Sequence, residues 1–205
     1  MSDSSSPEAA APRYPRRNPN IIVTGTPGTG KTTHCEALAA RIQEAQADAD
    51  ADSPLREMRH IAVNDVVRDQ TCHDGFDDAL QSWIVDEDKL LDALEGDMTS
   101  TQGGCIVDWH ACDLFPESWV DLVVVLTADT ESLYDRLKER NYPEAKLQEN
   151  MDAEIMQVLL QEAQEGFAEE VVVPLGSNTP DDMESNVDRI VSWITQWRKD
   201  HADEA

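Results

Sequence analysis

Asn20-Ile21-Ile22-Val23-Thr24-Gly25-Thr26-Pro27-Gly28-Thr29-Gly30-Lys31-Thr32 is the stretch that decides the fold. Asn20 to Thr24 is a short run rich in β-branched residues and reads as a buried strand. Gly25 to Thr32 fits G-x-x-x-x-G-K-[ST] at every fixed position. Thr32 to Glu44 then reads as a helix, with Leu38, Ala39 and Ile42 on one side. A glycine-rich loop between a strand and a helix is the context in which this motif binds phosphate. The competing reading is an ordinary Gly-rich turn before a helix. Glycines let backbone N–H groups converge on phosphate oxygens, because no Cβ blocks the approach. The helix N-terminus adds partial positive charge. Lys31 is placed to reach the β- and γ-phosphates, and the Thr32 hydroxyl to ligate Mg²⁺.

Working outward, the 205 residues, 40% of them hydrophobic, suit one domain with a real core. No apolar run approaches the ~18 residues that cross a bilayer, so no membrane association is expected. Met1 to Pro19 is rich in Ser, Pro and Ala, lacks the apolar centre of a signal peptide and reads as a disordered tail. The four cysteines include no C-x-x-C pair, which suggests neither zinc nor a redox couple, and reduced thiols are expected. The net charge is −26, from 42 acidic and 16 basic residues. Such a surface repels nucleic acid, so no direct nucleic-acid binding is expected. It also repels nucleotides, so a nucleotide site must be locally positive. The same field attracts a basic partner, unless it serves only solubility or adaptation to salt.

Further along, Gln46 to Ser53 is low-complexity and acidic, a solvated loop or a frayed helix end. His60 to Val63 reads as a second strand and Asn64 to Gln70 as a short helix carrying Arg68. Thr71 to Trp83 reads as irregular, with a turn at Gly75. Asp86 to Asp97 is helical. Cys105 to Asp108 is a third strand, after the break at Gly103 and Gly104. Asp121 to Leu126 is a fourth, a continuous apolar run typical of a sheet buried on both faces. Helices follow over Asp129 to Arg140, with Leu133, Tyr134 and Leu137 inward, and over Pro143 to Glu165. Val171 to Leu175 is a fifth strand, and Pro180 to Lys199 a closing helix. Strands alternating with helices predict an α/β fold, a five-stranded parallel sheet flanked by helices.

The second constellation is Val107-Asp108-Trp109-His110-Ala111-Cys112-Asp113. An Asp at the carboxyl end of a buried strand lies where open α/β sheets bind ligands. Beside a phosphate loop such an Asp holds Mg²⁺, directly or through water; the alternative is a strand-end cap. His110 shares a side of the chain with Asp108 if the backbone stays extended. A neutral imidazole there can orient a water or take its proton; the alternative is a loop histidine bonded to backbone. Arg68, Arg136 and Arg140 are the cations left to neutralise phosphate, with Arg136 and Arg140 on one helix face. Taken alone, each would more often be a surface ion pair.

Three segments together resemble the eukaryotic adenylate kinase isoenzyme 6 family: Gly25 to Thr33, Val107 to Glu117, and Leu133 to Tyr142. The D-x-H-x-x-D run from Asp108 to Asp113 is the specific part. The likeness runs from about Asn20 to Lys199 and includes Asp74-Gly75-Phe76-Asp77, Val85 to Lys89 and Glu154 to Leu159. It implies a P-loop NTPase fold of nucleoside monophosphate kinase type over residues 20–200. The monophosphate-binding region would lie at about 64–97 and a short lid at about 140–150, with a C-terminal tail at 201–205. It implies adenylate kinase activity with ATP hydrolysis, Mg²⁺ as cofactor, ATP and AMP as substrates, and a role in small-subunit ribosome maturation. It implies ATP contacts from Gly28, Gly30, Lys31, Thr32, Thr33 and Arg140, an AMP region containing Arg68, and a Walker B-like motif holding Asp108 and His110; from the residue chemistry, Lys31, Asp108 and His110 are the expected catalytic residues and Arg136 is expected toward substrate. The partner implied is a basic ribosomal protein of the small-subunit platform, the location nucleus and cytoplasm, and the expected state a monomer. The N-terminal tail and the acidic segment exceed the family pattern. Thr179 stands where members carry a lysine near the adenine. The rival reading is an assembly factor whose nucleotide state switches its grip on a basic protein, kinase turnover being incidental.

Overall fold

A computed structural model describes residues 15–47, 58–78 and 82–202. The elements run β1 (Ile21–Gly25), α1 (Lys31–Ala47), β2 (Arg59–Ala62), α2 (Val63–Asp69), β3 (His73–Asp77), β4 (Ser82–Val85), α3 (Glu87–Met98), β5 (Cys105–Asp108), β6 (Leu122–Thr127), α4 (Thr130–Glu139), α5 (Glu144–Ile155), α6 (Val158–Gly166), β7 (Val172–Gly176) and α7 (Pro180–Asp200). The five-stranded sheet has the order β2-β5-β1-β6-β7, and every pairing in it is parallel. This is the architecture that alternating strands and helices predict.

Side chains along a strand alternate between faces, and both faces are covered. Ile22 of β1 and Val123 and Val125 of β6 face one core with Val67 of α2 and Leu90 and Leu94 of α3. Ile21 and Val23, with Val124 and Leu126, face the other with Leu38 and Ile42 of α1 and Ile190 and Ile194 of α7. Ile21, Ile22 and Leu126 are fully buried, so truncating any of them to Ala should cost about 2–5 kcal/mol. A third cluster, Leu133 and Leu137 of α4 with Leu147 and Met151 of α5, packs these two helices together. Tyr134, expected inward, is exposed; its neighbours Leu133 and Leu137 fill that face without it.

Three expectations are corrected. The segment Thr71 to Trp83 is not irregular, because β3 and β4 form an antiparallel ribbon with a register shift between His73 and Gly75. His-Asp-Gly-Phe-Asp has no period-2 apolar pattern. The ribbon is held instead by Trp83, whose ring stacks on His73 at 4.1 Å and meets Phe76 edge-on at 5.0 Å. The long helix over Pro143 to Glu165 is two helices. Gln157 takes the left-handed conformation, φ 53°, and breaks the ladder between α5 and α6.

The third correction concerns the first 19 residues. Residues 1–14 lie outside the described ones, but Arg16 and Asn18 are buried, so the segment before β1 is no disordered tail there. The Arg16 guanidinium donates to Trp119 O at 2.6 Å, Ser118 O at 2.7 Å and Asp121 Oδ2 at 3.1 Å. The Asn20 backbone N–H donates to the same carboxylate oxygen at 2.8 Å. Asn18 pairs with Gly103 in a parallel bridge. Nothing in a Pro-rich tail signals this, because the partners sit about a hundred residues away. Most of the acidic segment 46–53 lies outside the described residues; α1 itself runs to Ala47. The terminal residues 203–205 also lie outside them, while His201 stacks on Trp197 at 4.1 Å. All four cysteines are buried and free, and no helix among the described residues is long and apolar enough to cross a membrane.

Candidate functional site

The loop from Gly25 to Gly30 turns through three positive-φ glycines, Gly25 at 140°, Gly28 at 100° and Gly30 at 92°. At Gly28 the need is also steric, since a Cβ would lie 2.8 Å from Leu133 Cδ1 of α4. Lys31 Nζ folds back over the loop, donating to Gly25 O at 2.7 Å and Thr26 O at 3.3 Å. Burial lowers the Lys31 ammonium to a pKa of about 8, against the pull of Asp108. Beneath the loop, His34 Nδ1 lies 2.9 Å from Gly30 O and His34 Nε2 3.3 Å from Asn186 Nδ2, while Asn186 donates to Gly176 O at 2.8 Å. A carbonyl only accepts, so Nδ1 carries the hydrogen and Nε2 accepts. Burial keeps His34 below the usual histidine range, which suits this neutral form. His34 thus ties the loop to β7 and α7.

Asp108 ends β5, in register with Val23 of β1 and Ala62 of β2. Its Oδ2 accepts from the Thr32 hydroxyl at 2.5 Å and faces His60 Nε2 at 3.7 Å. Burial raises the Asp108 carboxyl. The facing His60, the Thr32 hydroxyl and the Lys31 charge outweigh that and hold it below the usual carboxylate range. So Asp108 is ionised at neutral pH, beside the loop hydroxyl. A hydroxyl and a carboxylate, both hard oxygens, fit Mg²⁺, which takes few protein ligands and completes its shell with phosphate and water. Among the described residues no group of three His, Cys, Asp or Glu could hold a metal by itself.

The chain beyond β5 is stitched across β1, Trp109 N donating to Val23 O at 3.3 Å and Thr24 Oγ1 to His110 O at 3.0 Å. That places His110 at the cleft, its side chain open to solvent but ringed by protein, where desolvation by that surrounding mass and the Lys31 charge hold its imidazole below the usual histidine range. The cleft, about 700 Å³, runs from Gly28, Gly30, Lys31, Thr32 and Thr33 past Asp108 and His110 to Arg68, Phe76 and Trp83 on one side and Arg140 and Asn150 on the other. It gathers every expected site residue except Arg136.

Arg136 is the correction. Its guanidinium donates to Gly28 O at 3.3 Å, Ser177 O at 2.8 Å and Asn178 O at 2.7 Å, so it clamps the loop to the turn after β7 instead of lining the cleft. Arg68 lines the cleft but pairs with Asp65 and Asp69 at 2.9 and 2.8 Å. Arg140 caps α4, its backbone N–H donating to Lys138 O, while its guanidinium has no hydrogen-bond or carboxylate partner among the described residues. Thr179 is the N-cap of α7 in a reciprocal capping box with Asp182. Three cleft or near-cleft groups were not singled out from sequence. Trp109 Nε1, Asn150 Nδ2 and His60 Nε2 are buried without a hydrogen-bond partner. Trp109 lies inside the Asp108–Asp113 run, where nothing marks its indole N–H, while His60 and Asn150 belong to no motif, since only the fold brings β2 beside Asp108 and α5 to the cleft.

A glycine-rich loop at the mouth of a parallel sheet, with a lysine, a hydroxyl and a strand-end carboxylate converging, defines a P-loop nucleotide-binding protein of kinase fold. Residues 21–157 match the AAA domain family. Among solved structures, a shikimate kinase from Bacteroides thetaiotaomicron is similar in fold, with TM-score 0.52 at 16% identity over 86% of this chain and 98% of that one. The adenylate kinase isoenzyme 6 homolog of Schizosaccharomyces pombe is 47% identical over 91% of this chain and 97% of its own. The homolog FAP7 of Saccharomyces cerevisiae is 46% identical over 92% and 88%, and the homolog HBR1 of Candida albicans 46% over 92% and 73%. The chain belongs to the adenylate kinase isoenzyme 6 family.

Proposed function

We propose that the protein is a Mg²⁺-dependent ATP:AMP phosphotransferase. The observation that carries this is one continuous cleft with the phosphate loop and Asp108 at one part of its wall and Arg68 and the β3–β4 ribbon at another. That is room for a donor and an acceptor side by side. An α-phosphate oxygen of AMP attacks the γ-phosphorus of ATP, the bond to the β–γ bridging oxygen breaks, and two ADP leave. No covalent enzyme intermediate forms. Lys31 and Arg140 spread the charge that develops on the transferred group. Thr32 and Asp108 would hold Mg²⁺, which when bound neutralises charge on the β- and γ-oxygens. Incubating ATP with each nucleoside monophosphate and resolving the products by chromatography tests the reading. ADP from AMP, in preference to the other monophosphates, is expected; no transfer to any of them sinks it.

One observation supports a second activity. His110 beside ionised Asp108 is depressed toward its neutral form, which suits it to accept a proton from water or orient it. With water in the acceptor's place the products are ADP and phosphate. The rival reading, a nucleotide-switched assembly factor for a basic ribosomal protein, rests on this histidine and on the net charge of −26. The reading extends to action in small-subunit maturation, in nucleus and cytoplasm, by a monomer. ATP turnover with and without AMP and with and without a basic platform protein separates the two.

A further inference from the structure

His60 is unexplained by the reading so far. It sits on the edge strand β2, pointing to the sheet end where Asp108 stands. Its Nε2 is buried and has no hydrogen-bond partner. The nearest acidic oxygen is Asp108 Oδ2, at 3.7 Å, about half an ångström beyond hydrogen-bonding range. That same oxygen already accepts from Thr32 at 2.5 Å. A buried ring nitrogen without a partner, facing a carboxylate just out of reach, is an open half of a contact. His60 also lines a second cavity, about 480 Å³, together with Thr32 and the carboxylates Glu36, Asp65 and Asp97. The imidazole therefore stands between Asp108 and an acidic hollow.

We propose that His60 is a positioning residue for the divalent-cation site: its Nε2–H closes onto Asp108 Oδ2 when cation and nucleotide bind together. The inference rests on the assignment of Thr32 and Asp108 as the cation-binding pair. A carboxylate that ligates a metal is itself held by hydrogen bonds from behind, and removing such a bond costs metal affinity. Here Asp108 is bracketed, Thr32 on the loop side and His60 on the β2 side. The bracket fixes which lone pairs the carboxylate turns toward the cleft.

The test is the affinity for a non-hydrolysable ATP analogue, measured by calorimetry once in EDTA and once in saturating Mn²⁺. The ratio of the two is the cation's contribution. His60→Phe keeps the ring volume and removes the N–H; His60→Gln restores an N–H near the position of Nε2. Circular dichroism melts establish that both variants fold. In His60→Phe the EDTA affinity should match the parent's while the ratio falls ~10-fold or more, and His60→Gln should recover most of it. The inference is overturned if His60→Phe keeps the parent's ratio, if His60→Gln falls as far as His60→Phe, or if both affinities fall together, which marks a packing role. A parent protein that binds the analogue but gains nothing from Mn²⁺ would overturn the assignment of Thr32 and Asp108 as well, so the two failures are distinguishable.

Discussion

Lys31 in the nucleotide-free site donates to the carbonyls of its own loop. Because burial lowers it to about 8, the free protein loses this charge as pH rises through that value. Phosphate oxygens restore it, so ATP binding near pH 9 should take up a proton, readable by calorimetry in buffers of different ionisation enthalpy. Lys31→Met should abolish the uptake and cut turnover by at least ~10²-fold. It should also raise the melting temperature of the free protein. Between about 8 and the ordinary lysine value of 10.5 the unfolded chain binds more protons, so this group destabilises the fold below that window and the penalty is relieved as pH rises through it. His110→Ala should lower hydrolysis by roughly 10²-fold and transfer to AMP by less. In the parent, hydrolysis should hold at neutral pH and fall as pH drops through the depressed value of His110; equal losses in both reactions would make it structural. Arg140→Ala should raise the KM for ATP and Arg68→Ala that for AMP, the Arg68 effect being the smaller because Asp65 and Asp69 already neutralise it. Lys31, Asp108 and the loop glycines were legible in sequence because phosphate chemistry fixes their type and spacing. Arg136 and His60 were not: an arginine spent on carbonyls looks like one meant for phosphate, and a strand histidine acquires meaning only from its neighbour strand.

At the scale of elements, the phosphate loop leans on α4. A methyl on Gly28 meets Leu133 at 2.8 Å and Leu137 at 3.1 Å, both fully buried, so Gly28→Ala must displace the loop or the helix. Weaker binding of ATP by at least tenfold is expected, with AMP binding changed less; equal affinity would show that α4 yields freely. The α5–α6 junction gives the opposite expectation. Gln157 has φ 53° and is exposed, so Gln157→Gly should stabilise by up to about 1 kcal/mol and Gln157→Val should destabilise. Thermal melts decide the sign. The five sheet strands were legible because continuous β-branched runs such as Leu122 to Leu126 need burial on both faces. The junction was not, since the sequence from Ile155 to Val158 carries neither Gly nor Pro, and the apolar period continues across the break. The β3–β4 ribbon escaped because its order comes from three rings meeting across the pair, not from alternation along either strand.

For the whole molecule, charge and topology carry separate expectations. If an acidic surface docks a basic protein, association should slow steeply with salt as the Debye length falls from ~10 Å at 0.1 M to ~3 Å at 1 M, the on-rate responding more than the off-rate. A salt-independent on-rate, measured by stopped flow, removes electrostatic steering. The Arg16–Asp121 pair is different, being buried and hydrogen-bonded on both sides. Arg16→Ala removes the buried guanidinium that faces Asp121 and should cost about 3–5 kcal/mol, a fall in melting temperature on the order of 10 °C for a chain this size. The sheet order β2-β5-β1-β6-β7 has a consequence in time. The central strand is the first one made, yet Ile21 pairs with Ile106 on one side and Leu122 on the other. At roughly 5–20 residues per second, several seconds of synthesis separate the appearance of β1 from that of either neighbour. During that interval its apolar side chains and its unpaired backbone leave the ribosome together. The phosphate loop that follows it can take no shape until more than half of the chain has emerged, so a nascent chain cut short before β6 should fail to bind nucleotide at all.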